Sequence, residues 1–114
     1  MTTDELRRAA GQLLGVGFDG PEAPPELLAR IARSEVGSVM LFKPNVGSPA
    51  QVATLVTALR RAASRKAPLV VSTDQEGGAV QRLRAPLTVW PDMMTVGAAG
   101  RPERTRALGA ALGR

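Results

Sequence analysis

Cysteine and histidine are both missing from the 114 residues. Without cysteine the chain can build neither a disulfide framework nor a thiolate metal site, and without histidine it lacks the usual imidazole ligands and general bases. Its chemistry rests on carboxylates, hydroxyls, lysine and arginine. Aromatic residues are nearly absent too, with Phe18, Phe42 and Trp90 the whole set. A net charge of +5 invites a nucleic-acid reading, but the basic residues, almost all arginine, are scattered and have no aromatic or motif support. No nucleic-acid partner is expected. No apolar run approaches the roughly 20 residues that a membrane span needs, and Met1-Thr2-Thr3-Asp4-Glu5 lacks the basic-then-apolar layout of a signal peptide. No membrane association is expected, and the expected location is cytoplasmic.

What remains is ordinary soluble composition, 44% hydrophobic and 22% charged, at a length suited to one domain. Asp4 to Gln12 reads as a short amphipathic helix, capped by Thr3 or Asp4, with Leu6, Ala9, Ala10 and Leu13 on one side. Leu13 to Phe18 reads as a strand ended by Asp19-Gly20-Pro21. Pro24 and Pro25 then open a helix whose inward stripe is Leu27, Leu28, Ile31 and Ala32. Val36 to Phe42 is a second strand, ending in Lys43-Pro44-Asn45. Ser48-Pro49-Ala50-Gln51 predicts a capping box for a third helix, with Val52, Leu55, Val56 and Leu59 inward, cations Arg60, Arg61, Arg65 and Lys66 at its end, and Pro68 as the stop.

Leu69 to Thr73 is the third strand. Its unbroken apolar start predicts burial on both faces, as in a parallel sheet. It breaks into Asp74-Gln75-Glu76-Gly77-Gly78, and Arg82 follows eight residues after Asp74. In parallel folds ligands gather at the carboxyl ends of strands, so this loop is the candidate site. The connection from Ala85 to Pro91 reads as irregular, and a last helix is expected from Pro102, with Leu108, Ala111 and Leu112 inward.

Strands alternating with helices imply an α/β fold with a parallel sheet and right-handed crossovers. It is either a small doubly wound sheet or the first three βα units of a (β/α)8 barrel. A barrel needs roughly 250 residues, and an open three-stranded sheet leaves two edges unpaired, so the chain is expected to be truncated.

Several stretches together resemble one family: Gly11-Gln12-Leu13-Leu14-Gly15-Val16-Gly17-Phe18, Gly37-Ser38-Val39-Met40-Leu41-Phe42 with Asn45, Asp74-Gln75-Glu76-Gly77-Gly78, and Val80-Gln81-Arg82-Leu83 with Pro91 beyond. The resemblance is to the N-terminal part of glycoside hydrolase family 3, in its bacterial β-N-acetylglucosaminidase (β-hexosaminidase) branch, and covers nearly the whole chain. It implies that residues 1–114 are the N-terminal part of a (β/α)8 barrel domain cleaving terminal β-linked N-acetylglucosamine, in many bacteria during recycling of cell-wall muropeptides. The implied partner is a carbohydrate substrate, and no cofactor or metal is implied. By the same resemblance Asp74 and Arg82 hold the terminal sugar. An ionised carboxylate suits that task, since it accepts hydroxyl protons in short charge-assisted bonds. The family reaction is retaining, with an aspartate nucleophile and, in this branch, a histidine acid/base. Neither group has a counterpart here, so no residue is assigned a catalytic role and the chain alone is expected to be inactive. The sequence also departs at Ala79, where many relatives have arginine, and at Pro44.

Alternatives stand beside these assignments. Asp74 and Glu76 could hold Mg²⁺ in a small α/β hydrolase or phosphotransfer domain, and the chain could be a non-catalytic sugar-binding remnant. Glu76 reads better as a group that orders its loop by accepting backbone N–H bonds. Arg82 could be a structural partner of Asp74 or Glu76. Asn45 is divided between substrate contact and a structural role, Asp19 reads as a turn residue, and Trp90 as a loop anchor rather than a stacking platform.

Overall fold

In the computed structural model, which describes residues 1–113, the chain separates after Thr73 into two units. The first begins with α1 (Thr3–Gly11), capped by Thr2 rather than by Thr3 or Asp4. Thr2 Oγ1 accepts from Glu5 N at 3.2 Å, and Thr2 N donates to Glu5 Oε2 at 2.6 Å, which completes a capping box. The expected apolar side of this helix is not buried, and Leu6 and Leu13 are 54% and 87% exposed. The helix is held instead at Gly11, its one buried residue. A Cβ there would lie 2.6 Å from Glu35 Cα, so only glycine permits the approach.

The first strand is much shorter than the apolar run suggests. Leu13 N and Leu14 N donate back to Ala10 O and Gly11 O, which turns both leucines into the helix exit and leaves β1 as Gly15–Val16. Next come α2 (Pro25–Ala32), β2 (Ser38–Leu41), a 3-10 turn at Lys43–Asn45, α3 (Pro49–Ala62) and β3 (Val70–Thr73). The strands form one parallel sheet in the order β1-β2-β3, with Ser38 to Leu41 opposite Val70 to Thr73. Two successive βαβ crossovers are therefore present, as a parallel sheet requires.

The core lies between the sheet and the two helices. It comprises Leu27 and Ile31 of α2, Val36, Val39 and Leu41 in and beside β2, and Leu55 and Leu59 of α3. Leu28, Val52 and Val56 are half-buried against it, whereas Ala32 is exposed. Each fully buried Leu or Ile contributes about 1.5–3 kcal/mol by leaving water. α3 starts at the expected cap, with Gln51 N donating to Ser48 Oγ at 3.2 Å, but the box is incomplete because the Gln51 amide turns elsewhere. It ends at Ala62, so Arg65 and Lys66 lie outside it.

Burial of β3 on both faces does not occur. Val70 and Ser72 are exposed while Val71 and Thr73 are half-buried, an alternation that means one covered face. Among the described residues β3 is also an edge strand, paired to β2 alone.

The second unit contains a hairpin of β4 (Gln75–Gly77) and β5 (Val80–Gln81), then α4 (Met93–Ala98) and α5 (Pro102–Leu112). The hairpin replaces what reads in sequence as a loop, the connection from Ala85 to Pro91 is irregular as expected, and α4 occupies a stretch to which the sequence assigns no element. α5 starts at Pro102 as expected, but none of its residues is buried: Leu108 and Ala111 are half-buried and Leu112 is 39% exposed. Among the described residues no helix is long and apolar enough to cross a membrane.

Candidate functional site

The hairpin makes the site. Gln75 pairs with Gln81 across β4 and β5, so Asp74 and Arg82 occupy the next cross-strand position outward. Their backbones are joined there by Arg82 N donating to Asp74 O at 3.2 Å. Their side chains meet as well, with Arg82 Nη2 3.2 Å from Asp74 Oδ2. The two side chains are 23% and 25% exposed, so the pair is partly withdrawn from water but reachable. Arg82 Nε is buried and has no hydrogen-bond partner among the described residues. The pair thus offers a free carboxylate oxygen beside the outer nitrogens of the guanidinium.

Glycines set the turn. Gly77 and Gly78 have φ of +91° and +57°, in the left-handed region that disfavours side chains. A Cβ on Gly77 would collide with the Pro91 carbonyl oxygen, and Gly78 N donates to Trp90 O at 2.8 Å. Arg84 Nη2 donates to Gly78 O at 2.5 Å. Trp90 is half-buried and its main chain is pinned on both sides, because Trp90 N also donates to Gln81 Oε1 at 2.9 Å. Its place is that of a loop anchor.

Two glutamines do the ordering that the sequence suggests for Glu76. Gln75 brackets Leu83, accepting from Leu83 N at 3.0 Å and donating to Leu83 O at 2.7 Å. Gln81, 3% exposed, donates to Leu83 O and Thr88 O and accepts from Trp90 N. Glu76 is exposed and makes no hydrogen bond or ion pair with a described residue, so the loop-ordering role does not belong to it. The signal in the sequence was two amides flanking a Gly-Gly turn at positions that pair in a hairpin; strands of three and two residues are too short for periodicity to show it.

Asn45, the third residue expected at the sugar, lies in the first unit and is 0% exposed. Both its Nδ2 protons are spent, on Phe18 O at 3.0 Å and Gly20 O at 2.8 Å, and its Oδ1 accepts from Phe42 N at 2.8 Å. The physical reading is structural: the amide ties the loop after β1 to the end of β2 and turns no donor outward. Gln51 extends the tie, donating to Pro21 O at 2.7 Å and Asn45 O at 3.2 Å and accepting from Gly47 N at 2.9 Å. Asp19 is exposed and accepts from Gly20 N, as a turn residue does.

No group of three or more Asp or Glu side chains converges among the described residues. Asp74 faces a guanidinium rather than a second carboxylate, an arrangement that competes with a cation instead of recruiting one.

The profile of the "Glycosyl hydrolase family 3 N terminal domain" matches residues 5–114. A beta-hexosaminidase of Xanthomonas oryzae pv. oryzae is 38% identical over 86 residues, 75% of this chain and 25% of that protein. The solved structure of a glycoside hydrolase family 3 beta-N-acetylglucosaminidase from Paenibacillus sp. str. FPU-7 superposes with a TM-score of 0.76 at 41% identity, covering 86% of this chain and 19% of that one. The beta-N-acetylhexosaminidase of Beutenbergia cavernae DSM 12333 gives 0.68 at 38% identity, covering 82% and 29%. The chain therefore spans between 19% and 29% of the lengths of these relatives.

Proposed function

The chain belongs to glycosyl hydrolase family 3 through that family's N-terminal domain, and from that premise we propose that it supplies part of the terminal-sugar subsite of an enzyme hydrolysing β-linked N-acetylglucosamine. In this reading its three parallel strands are the first three of a (β/α)8 barrel, and the enzyme works in the cytoplasm on muropeptide-derived sugars. The observation that carries the proposal is the Asp74–Arg82 pair held across a glycine-turned hairpin. Asp74 accepts protons from two neighbouring sugar hydroxyls, while Arg82 donates to a third oxygen and holds the Asp74 carboxylate in place. Charge-assisted bonds of this kind orient a ligand that offers little apolar surface.

Asn45 enters as a loop organiser rather than a sugar ligand. The nucleophile and the acid/base have no candidates among these residues, so the chain by itself binds without turnover. The Mg²⁺ reading is set aside, because Asp74 is paired with Arg82 and Glu76 stands exposed and apart from any carboxylate cluster.

The test is ligand-observed NMR of N-acetylglucosamine with the chain, beside an assay on a chromogenic N-acetyl-β-glucosaminide. Saturation transfer to the sugar that disappears in Asp74→Asn and in Arg82→Met, with hydrolysis at background, is the expected result. Binding indifferent to both substitutions removes the clamp, and hydrolysis above background removes the claim that the chemistry lies elsewhere.

A further inference from the structure

The loop after β1 carries a second kind of reactivity. Asp19 is exposed and followed by Gly20, whose N–H lies 3.0 Å from Asp19 Oδ1, so the side-chain carboxyl is folded back against the next backbone nitrogen. The carbon to be attacked, Asp19 Cγ, is bonded to that oxygen, so the hydrogen bond keeps nucleophile and electrophile as neighbours. Gly20 adds two permissive features. Its φ of +90° is open to glycine and strained for other residues, and the space a Cβ would occupy has no atom within 4 Å. The Cα side of Gly20 is therefore uncrowded, which leaves room for the imide ring.

The geometry points to Asp19–Gly20 as a site of spontaneous backbone isomerisation through a succinimide. The Gly20 nitrogen bonds to Cγ of the protonated Asp19 carboxyl. The Cγ–OH bond breaks, and that hydroxyl leaves as water with the Gly20 amide proton. Water then adds to either imide carbonyl. Addition at Cγ restores aspartate; addition at the main-chain carbonyl breaks the original peptide C–N bond and leaves the chain running through Cγ as isoaspartate, with a free α-carboxylate. The composition is unchanged, one oxygen is exchanged with solvent, and no oxidant or co-reactant takes part.

The consequence is specific to this fold. Phe18 O and Gly20 O, the carbonyls on either side of the reacting residue, are the two acceptors of Asn45 Nδ2. Isoaspartate inserts one extra backbone carbon between them, so a single carboxamide can no longer reach both. Modification at Asp19 therefore releases the buried Asn45 amide and uncouples the first loop from β2.

The chain is incubated folded in heavy-oxygen water at physiological temperature, digested, and sequenced by electron-transfer fragmentation, which separates aspartate from isoaspartate. Isoaspartate with one heavy oxygen is expected at Asp19, with none at Asp4, Asp74 or Asp92, and none at position 19 in Asp19→Glu. In the isomerised fraction the Asn45 side-chain amide protons lose their protection from exchange. A folded chain unmodified at Asp19, while a synthetic peptide of residues 14–25 isomerises under the same conditions, overturns the proposal by showing that the folded loop protects the bond. Equal labelling at Asp74 and Asp92 overturns it too, since the loop geometry would then confer nothing.

Discussion

The first unit places seven apolar side chains in its interior, from Leu27 in α2 to Leu59 in α3, whereas among the described residues of the second unit the buried ones are Gly77 and Gln81. One is assembled by taking carbon out of water, which is strong and tolerant of exact direction. The other is assembled by amides, glycine contacts and an ion pair, which contribute less per group but fix positions closely. A unit that must present a carboxylate and a guanidinium at a set separation gains from the second kind of construction. Hydrogen bonds from Gln75 and Gln81 define where residues 82–90 run, and apolar packing could not specify Arg82 as narrowly.

The contrast is broken most forcefully at Leu59, which is 0% exposed. Leu59→Ala is expected to destabilise the first unit by about 2–5 kcal/mol, the cost of lost transfer energy plus a cavity, measured by urea unfolding followed by circular dichroism. Among the described residues the side-chain hydrogen bonds of the hairpin join residues 74–90 to one another, so the amides of Arg82 and Leu83 should keep their relative protection at low urea. A probe of the amide-built region is Gln81→Leu, close in volume but unable to satisfy Trp90 N, Thr88 O and Leu83 O. A penalty of about 1–3 kcal/mol is expected, read as faster hydrogen exchange at Trp90 and a shift in its fluorescence, with the core transition unmoved. An unchanged Trp90 would mean that the glutamine is not what holds the loop.

The smallest effect separates α4 from everything else. Thr95 N donates to Asp92 Oδ1 at 2.8 Å and the Thr95 hydroxyl to Oδ2 at 2.9 Å, and these bonds, the backbone one foremost, hold the Asp92 carboxyl below its ordinary range. The ionised form is thus favoured in the folded helix. Its contribution is present above the ordinary carboxylate value and is lost as pH falls through the lowered one. Protection of the Thr95 and Val96 amides should fade in acid, and Asp92→Asn, which caps without titrating, should flatten that dependence.

Legibility in the sequence divides along the same line. Apolar spacing and proline placement locate α2, α3 and β3, and the inward residues Leu27, Ile31, Leu55 and Leu59, because burial leaves a periodic record. The apolar run at Leu13-Leu14 misleads, since the last turn of α1 captures both backbone N–H groups before a strand can. The β4–β5 hairpin leaves no periodic trace, as its interior residue is a glutamine. α4, a six-residue helix beginning two residues after Pro91, is marked only by Asp92 as its cap. Within the site, Asp74 and Arg82 stand out by residue type, while their support by Gln75 and Gln81 appears only when positions 75 and 81 are seen to face each other.

Asn45 has a consequence for how the first loop can vary. Through Asn45 and Gln51 the chain fixes three successive stations of that loop, Phe18, Gly20 and Pro21, each by its carbonyl oxygen. Pro24 is the cap of α2 and so a fourth fixed point. Between these points lie Glu22, which is exposed, and Ala23, which is half-buried against the core, so lengthening of the loop by insertion is best accommodated at Glu22 if β1 is to stay tied to β2.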